Sequence, residues 1–183
     1  MLRMHRRLIL ALLLGAAASP ADITKCACDP SSTESMSKRE CSLCREAEKQ
    51  LPGIDIFFLK DTNPRKPNRW LVLPKVHGSV GHSLSELKPA QRTALWKAAI
   101  AKGKELWGDE WGLAYNGDTA RTQCHGHIHI GKLLKGLAPG KTLVVSHVED
   151  MPVPKGDGLW VQPLGKRLLV HYGETITETV LLR

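Results

Sequence analysis

Cys124-His125-Gly126-His127-Ile128-His129-Ile130-Gly131 is the stretch on which the fold reading turns. Its alternation has the two-residue period of a β-strand, so His125, His127 and His129 fall on one face while Cys124, Ile128 and Ile130 fall on the side of a core. Just upstream, Trp111 to Asn116 (WGLAYN) reads as a second strand, and Gly117 to Arg121 as the turn joining the two. Before that, Lys88 to Trp107 predicts the long helix of the chain. Pro89 suits a first turn, Trp96, Ala99, Ile100, Gly103 and Trp107 recur at helical spacing, and Gly108 stops it. Two Trp on one stripe predict a helix lying against a sheet.

Farther out, Ile54 to Lys60 and Arg69 to Leu73 predict a hairpin-like pair of strands across the Pro/Asn-rich turn Asp61 to Asn68. Downstream, Thr142 to Val148, Leu159 to Gln162, Arg167 to Tyr172 and Thr175 to Leu182 predict strands or sheet edges appended to the main unit. Residues 29 to 40 (DPSSTESMSKRE) are polar and predict a loop.

Residues 1 to 21 have the layout of a secretory signal peptide: Arg3, Arg6 and Arg7, then the apolar run Leu8 to Ala18, then small residues to Ala21. That run of 11 residues is short of the ~20 a spanning helix needs, which leaves a membrane anchor as the lesser alternative. The expected location is therefore periplasmic or secreted. The leader carries three Arg and no acid, so its removal takes the formal net charge from +8 to +5. Lys and Arg are scattered, apart from a short cluster at Lys60 to Arg69, and a nucleic-acid partner is not indicated. The remaining 162 residues suit one domain. Nine aromatics and 42% hydrophobic residues in a chain of 183 exclude a disordered or fibrous chain.

Four of the five cysteines lie at Cys26, Cys28, Cys41 and Cys44, within a Cys-rich segment spanning residues 22 to 50. An exported chain makes disulfides the expected state, with three pairings open. A structural zinc bound by the four thiolates is the alternative. Haem attachment is excluded, because Arg45 stands where a His must follow Cys44.

Three imidazoles on one strand face admit three readings. A solvated face without a role brings repulsion on protonation with nothing to offset it. A metal site is opposed by the ~13 Å of strand between the first and third His and by the lack of a nearby carboxylate. Nucleophilic catalysis suits the pattern: a neutral imidazole with one nitrogen pinned by a backbone carbonyl presents the other as a lone pair, and its neighbours hold phosphate oxygens or protonate a leaving group.

The string Gln123 to Ile130 (QCHGHIHI) resembles the signature of the histidine triad (HIT) superfamily of nucleotide hydrolases and transferases. Trp70-Leu-Val-Leu-Pro74-Lys-Val-His77 is similar to that family's strand ending in Pro-x-x-His, and Tyr115-Asn116-Gly117 to its Asn before the triad. Cys41-x-x-Cys44 resembles the start of a zinc site in bacterial members, but Arg69 stands where a zinc His would fall. More narrowly, Arg121 to Ile130 and Leu59 to Asn63 resemble the CDP-diacylglycerol pyrophosphatases, an exported, membrane-associated branch. The present chain is shorter and carries His77. The likeness covers about residues 41 to 135 and stops at Gly136.

The resemblance implies an α+β fold, an antiparallel sheet of about five strands with one long helix packed on it. Residues 51 to 135 would form the catalytic core, and 136 to 183 a β-rich extension of the same domain. It implies His127 as nucleophile on the α-phosphorus of a nucleotide or nucleotide-lipid substrate, and His129 at the phosphate and leaving group. His125 would support the nucleophile, His77 would orient it or neighbour the carbonyl that does, Asn116 would contact the nucleotide, and Gln123 would lie beside the phosphates. Asn116-Gly117-Asp118 is also simply a good turn. No cofactor is required, a homodimer is implied, and Trp160 or the Lys166-Arg167 turn is the candidate for peripheral membrane contact. His82, His147 and His171 receive no role. The contrasting class is a non-enzymatic periplasmic metal-binding or redox-responsive module.

Overall fold

The computed structural model describes residues 26–76, 82–137 and 140–183. The expected signal peptide at residues 1–21 and the expected site residue His77 lie outside the described residues.

Seven strands form one sheet: β1 (Ile56–Lys60), β2 (Trp70–Pro74), β3 (Trp111–Tyr115), β4 (Ile128–Lys132), β5 (Lys141–Val145), β6 (Gly158–Leu164) and β7 (Arg167–Glu174). Their order is β1-β2-β4-β3-β6-β7-β5, and every pairing is antiparallel. The α+β class therefore holds, but with seven strands rather than about five. The downstream strands extend the same sheet beyond β3, with β6 pairing directly with it.

Among the described residues three α-helices accompany the sheet: α1 (Thr33–Ser37), α2 (Ser42–Glu48) and the long α3 (Pro89–Trp107). Pro89 occupies the first turn of α3, where a missing N–H is harmless. Gly108 follows its last residue at φ 56°, a conformation that costs glycine little. The buried stripe of α3 is Leu95, Trp96, Ala99, Ile100 and Gly103. It covers Val72, Trp111, Leu113, Ile128 and Ile130 on one face of the sheet. Gly103 permits the close approach, because a Cβ there would sit 3.1 Å from that of Trp111. Full burial of an indole such as Trp96 contributes on the order of 5 kcal/mol at ~25 cal/mol per Å².

The opposite face carries His129, opposed by Leu71 in β2 and Ala114 in β3. Two separate covers lie over this face. Leu43 and Ala47 of α2 pack on Phe57, Leu71 and Leu73, while Val180 and Leu181 of the C-terminal tail pack on Ala114 and Trp160. His129 lies at the gap between them.

Three expectations are corrected. Residues 29 to 40 are not all loop: Ser32 accepts a hydrogen bond from the Ser35 amide (3.2 Å) and caps α1, and the chain continues through a 3-10 turn into α2. Thr175 to Leu182 forms no strand, because both neighbours of β7 are already taken by β6 and β5. It crosses the sheet as a 3-10 turn (Glu178–Val180) with a single bridge, Leu133 to Leu181. The side-chain-free pair Gly112 and Gly131 makes room for it; a Cβ on Gly112 would lie 2.7 Å from Leu181 Cδ2.

Last, the histidine strand begins only at Ile128. Cys124 to His127 are drawn out of the sheet, since the Cys124 amide donates to the Glu40 carbonyl (2.8 Å) and Cys124 is disulfide-bonded to Cys26. Cys124 therefore faces a cluster with Cys28, Met36, Cys41 and Cys44, not the main core.

The second disulfide joins Cys28 to Cys41, and Cys44 is a buried free thiol whose pKa burial pushes up to about 11. The expected grouping of the four N-terminal cysteines is thus revised, with Cys124 replacing Cys44. The sulfurs of Cys28, Cys41 and Cys124 lie within 4.8 Å of one another, a spacing a metal ion accepts, but as bonded they are disulfide sulfurs and poor ligands. The Cys26 to Cys124 bond closes a 98-residue separation, and a loop of that order is worth about 4 to 5 kcal/mol in restricting the unfolded chain. Denatured but unreduced protein should show one reactive thiol, rising to five after reduction. Five before reduction, with bound zinc, would overturn the disulfide arrangement.

Candidate active site

The gap beneath α2 and the tail is a cavity of about 350 Å³ with His127 and His129 in its wall. Four segments enclose it: the turn between β1 and β2 (Asn63, Lys66), the α2 start (Ser42), the stretch from Asn116 through Gln123, and Glu178 of the tail.

His127 Nδ1 lies 2.8 Å from the carbonyl oxygen of His125. A carbonyl can only accept, so the proton resides on Nδ1 and Nε2 carries the lone pair. His125 is held in turn: its Nε2 donates to the Pro74 carbonyl at the end of β2 (2.7 Å). The three imidazoles thus do not form one row. His127 and His129 meet edge to face with centroids 4.8 Å apart and both line the cavity. His125 is fully buried and acts through its main chain. The carbonyl that orients the His127 ring belongs to His125, two residues back.

Both cavity histidines are neutral at physiological pH. Burial lowers the His127 pKa to about 3, helped by the nearby charges of His129 and Arg121. It lowers that of His129 to about 4, with Lys66 and Arg69 adding to it against the opposing pull of Glu178. Burial alone would raise the Glu178 carboxyl, but His129, Lys66 and Arg69 outweigh it and bring it down to about 2. Glu178 is therefore an anion 3.5 Å from His129 Nδ1, paired with Lys66 and with Arg69 Nη1 (2.9 Å).

Asn116 and Gln123 both line the cavity. The Asn116 carboxamide oxygen is already engaged: it accepts from the Thr177 amide (2.9 Å), the Glu178 amide (3.0 Å) and the Thr177 hydroxyl (3.3 Å), which places Glu178. Gln123 Oε1 accepts from the Ser42 hydroxyl at 2.6 Å. Arg69 holds the tail, donating to the carbonyls of Leu181 and Leu182 as well as to Glu178. Trp160 is 1% exposed and stacks on His171 with ring centroids 3.4 Å apart, away from the cavity.

Sequence reasoning missed Glu178, Lys66 and Arg121 as cavity residues. Lys66 lay inside the basic cluster at Lys60 to Arg69, and Arg121 inside the quoted motif. Glu178 had no signal, since it reaches the site only through the crossing of the tail. No family model matches this chain.

Chemically, the cavity offers a neutral imidazole nucleophile, a second imidazole backed by a carboxylate, and cations suited to phosphoryl oxygens. The depressed pKa values fix an acid limit of stability. An unfolded chain protonates these histidines below pH ~6.5, whereas the folded chain holds them neutral down to about 4 and about 3. Their contribution is therefore complete above pH ~6.5 and is lost as pH falls toward the folded values, at up to about 1.4 kcal/mol per unit per group. Urea midpoints should fall from pH 6.5 to 4.5, and less steeply in the double variant His127→Asn/His129→Asn. Equal slopes in the two proteins would contradict this burial.

Proposed function

We propose that the protein is an exported hydrolase of nucleotide phosphoanhydrides acting through a nucleotidyl-His127 intermediate, with CDP-diacylglycerol as substrate and CMP and phosphatidate as products. The observation that carries the reading is the 2.8 Å hydrogen bond from His127 Nδ1 to the His125 carbonyl, inside a cavity whose wall holds Arg39, Lys66 and Arg121 against Asp61 and Glu178. Two disulfides suit an oxidising compartment. No helix among the described residues is long and apolar enough to cross a membrane.

In the first step the His127 Nε2 lone pair attacks the phosphorus bonded to the cytidine. A P–N bond forms, the bridging P–O bond breaks, and its electron pair leaves on phosphatidate. The imidazolium so created keeps its Nδ1 proton on the His125 carbonyl, which stabilises the charge. An anionic substrate beside His129 raises the pKa of that ring above its empty-site value, so that His129, backed by Glu178, delivers the proton to the leaving oxygen. Water then attacks the same phosphorus, the P–N pair returns to His127, the water proton passes to His129, and CMP is released. The sum is one water consumed for CMP and phosphatidate. Positioned donors carry this chemistry without a metal.

CMP release from CDP-diacylglycerol should survive EDTA and should fall about 10⁴-fold in His127→Ala, with His129→Ala losing about 10² to 10⁴-fold. Loss on chelation that zinc restores would point to a metal site. No release by the wild-type protein would remove the lipid assignment and move the assay to dinucleotide polyphosphates and nucleoside phosphoramidates.

A further inference from the structure

Arg121 is 1% exposed and lines the same cavity as His127. Its Nη2 donates to Asp118 Oδ1 at 2.9 Å, and its guanidinium carbon lies 5.2 Å from the centroid of the Tyr115 ring. Nε and Nη1 are buried and have no hydrogen-bond partner among the described residues. The other cations nearby are differently engaged. Lys66 is paired with Glu178, Arg69 with Glu178 and two tail carbonyls, and Arg39 is exposed. A buried guanidinium with two idle donors is an expensive arrangement unless a ligand oxygen completes it.

We propose that Arg121 grips the phosphoryl group next to the one His127 attacks, making the cavity selective for substrates with two adjacent phosphoryl groups. This rests on the histidine-nucleophile reading. When the bridging bond breaks, negative charge collects on the departing phosphoryl oxygen, and a desolvated cation fixed in advance by Asp118 and Tyr115 stabilises it without reorganisation. A phosphoramidate, whose leaving group departs as a neutral amine, makes no such demand. The charge count agrees: an attacked phosphoryl diester brings one negative charge, the second phosphoryl group brings another, and Arg121 is the buried cation of the cavity wall with unpartnered donors, while Arg39 is exposed at the same wall.

The test compares wild type, Arg121→Gln and Arg121→Lys on CDP-diacylglycerol in detergent micelles and on a cytidine 5′-phosphoramidate. Arg121→Gln should lower kcat/KM for the anhydride by about 100-fold or more while changing the phosphoramidate less than about fivefold. Arg121→Lys, which keeps the charge and a partner for Asp118, should fall between, and added guanidinium should partly restore Arg121→Gln. Equal losses on both substrates would overturn the assignment. Titration calorimetry with inorganic pyrophosphate and orthophosphate reads the same residue without turnover. Wild type should prefer pyrophosphate by about tenfold or more, and Arg121→Gln should lose the preference. If wild type cleaves neither substrate, turnover does not read Arg121, and the pyrophosphate preference alone decides whether it holds paired phosphoryl groups. A wild type without that preference overturns the proposal.

Discussion

Arg69 is a full positive charge at 2% exposure, and what makes that tolerable is the C-terminal tail folding back over it. Glu178 supplies the counter-charge, and the carbonyls of Leu181 and Leu182 take further N–H groups. A buried pair of this kind adds little net stability over an apolar substitute, but removing one partner strands the other at a cost of about 3 to 5 kcal/mol. The constraint therefore specifies where the tail goes more than how tightly it binds. Once it is there, Leu181 fills the space left by Gly112 and Gly131, and Asn116 caps the turn that carries Glu178. The second wall of the cavity exists only as a consequence.

The first wall depends on the cysteines in the same way. The Cys26 to Cys124 bond and the Cys124 amide pull the chain out of the sheet before β4, and this departure turns His125 away from the cavity. His125 then contributes a carbonyl rather than a ring. The sulfur cluster thus positions His127 from outside the cavity.

Much of the sheet was legible because its strands and long helix are built on local periodicity. Trp111, Leu113 and Tyr115 alternate with the small Gly112 and Ala114, α3 repeats its stripe between Pro89 and Gly108, and β1 and β2 flank an unmistakable turn. The tail was misread for a reason equally physical. Thr175 to Leu182 has the composition of a strand, but strand formation needs a free edge, and β7 has none to offer. The polar segment before α2 was misread because a serine cap and burial against the cysteine cluster override its composition.

The sequence alone determined the α+β class and the long helix, and it brought forward His127, His129, Asn116 and Gln123 as site candidates that the fold gathers around one cavity, because each is encoded within a few neighbouring residues. Only the tertiary structure decided that Cys124 bonds Cys26, that Glu178 stands behind His129, and that Arg121 is buried with donors to spare. Those contacts join residues about 3 to 100 positions apart. Their energies come from desolvated charge and from the closure of long loops, quantities that no local pattern of side chains carries.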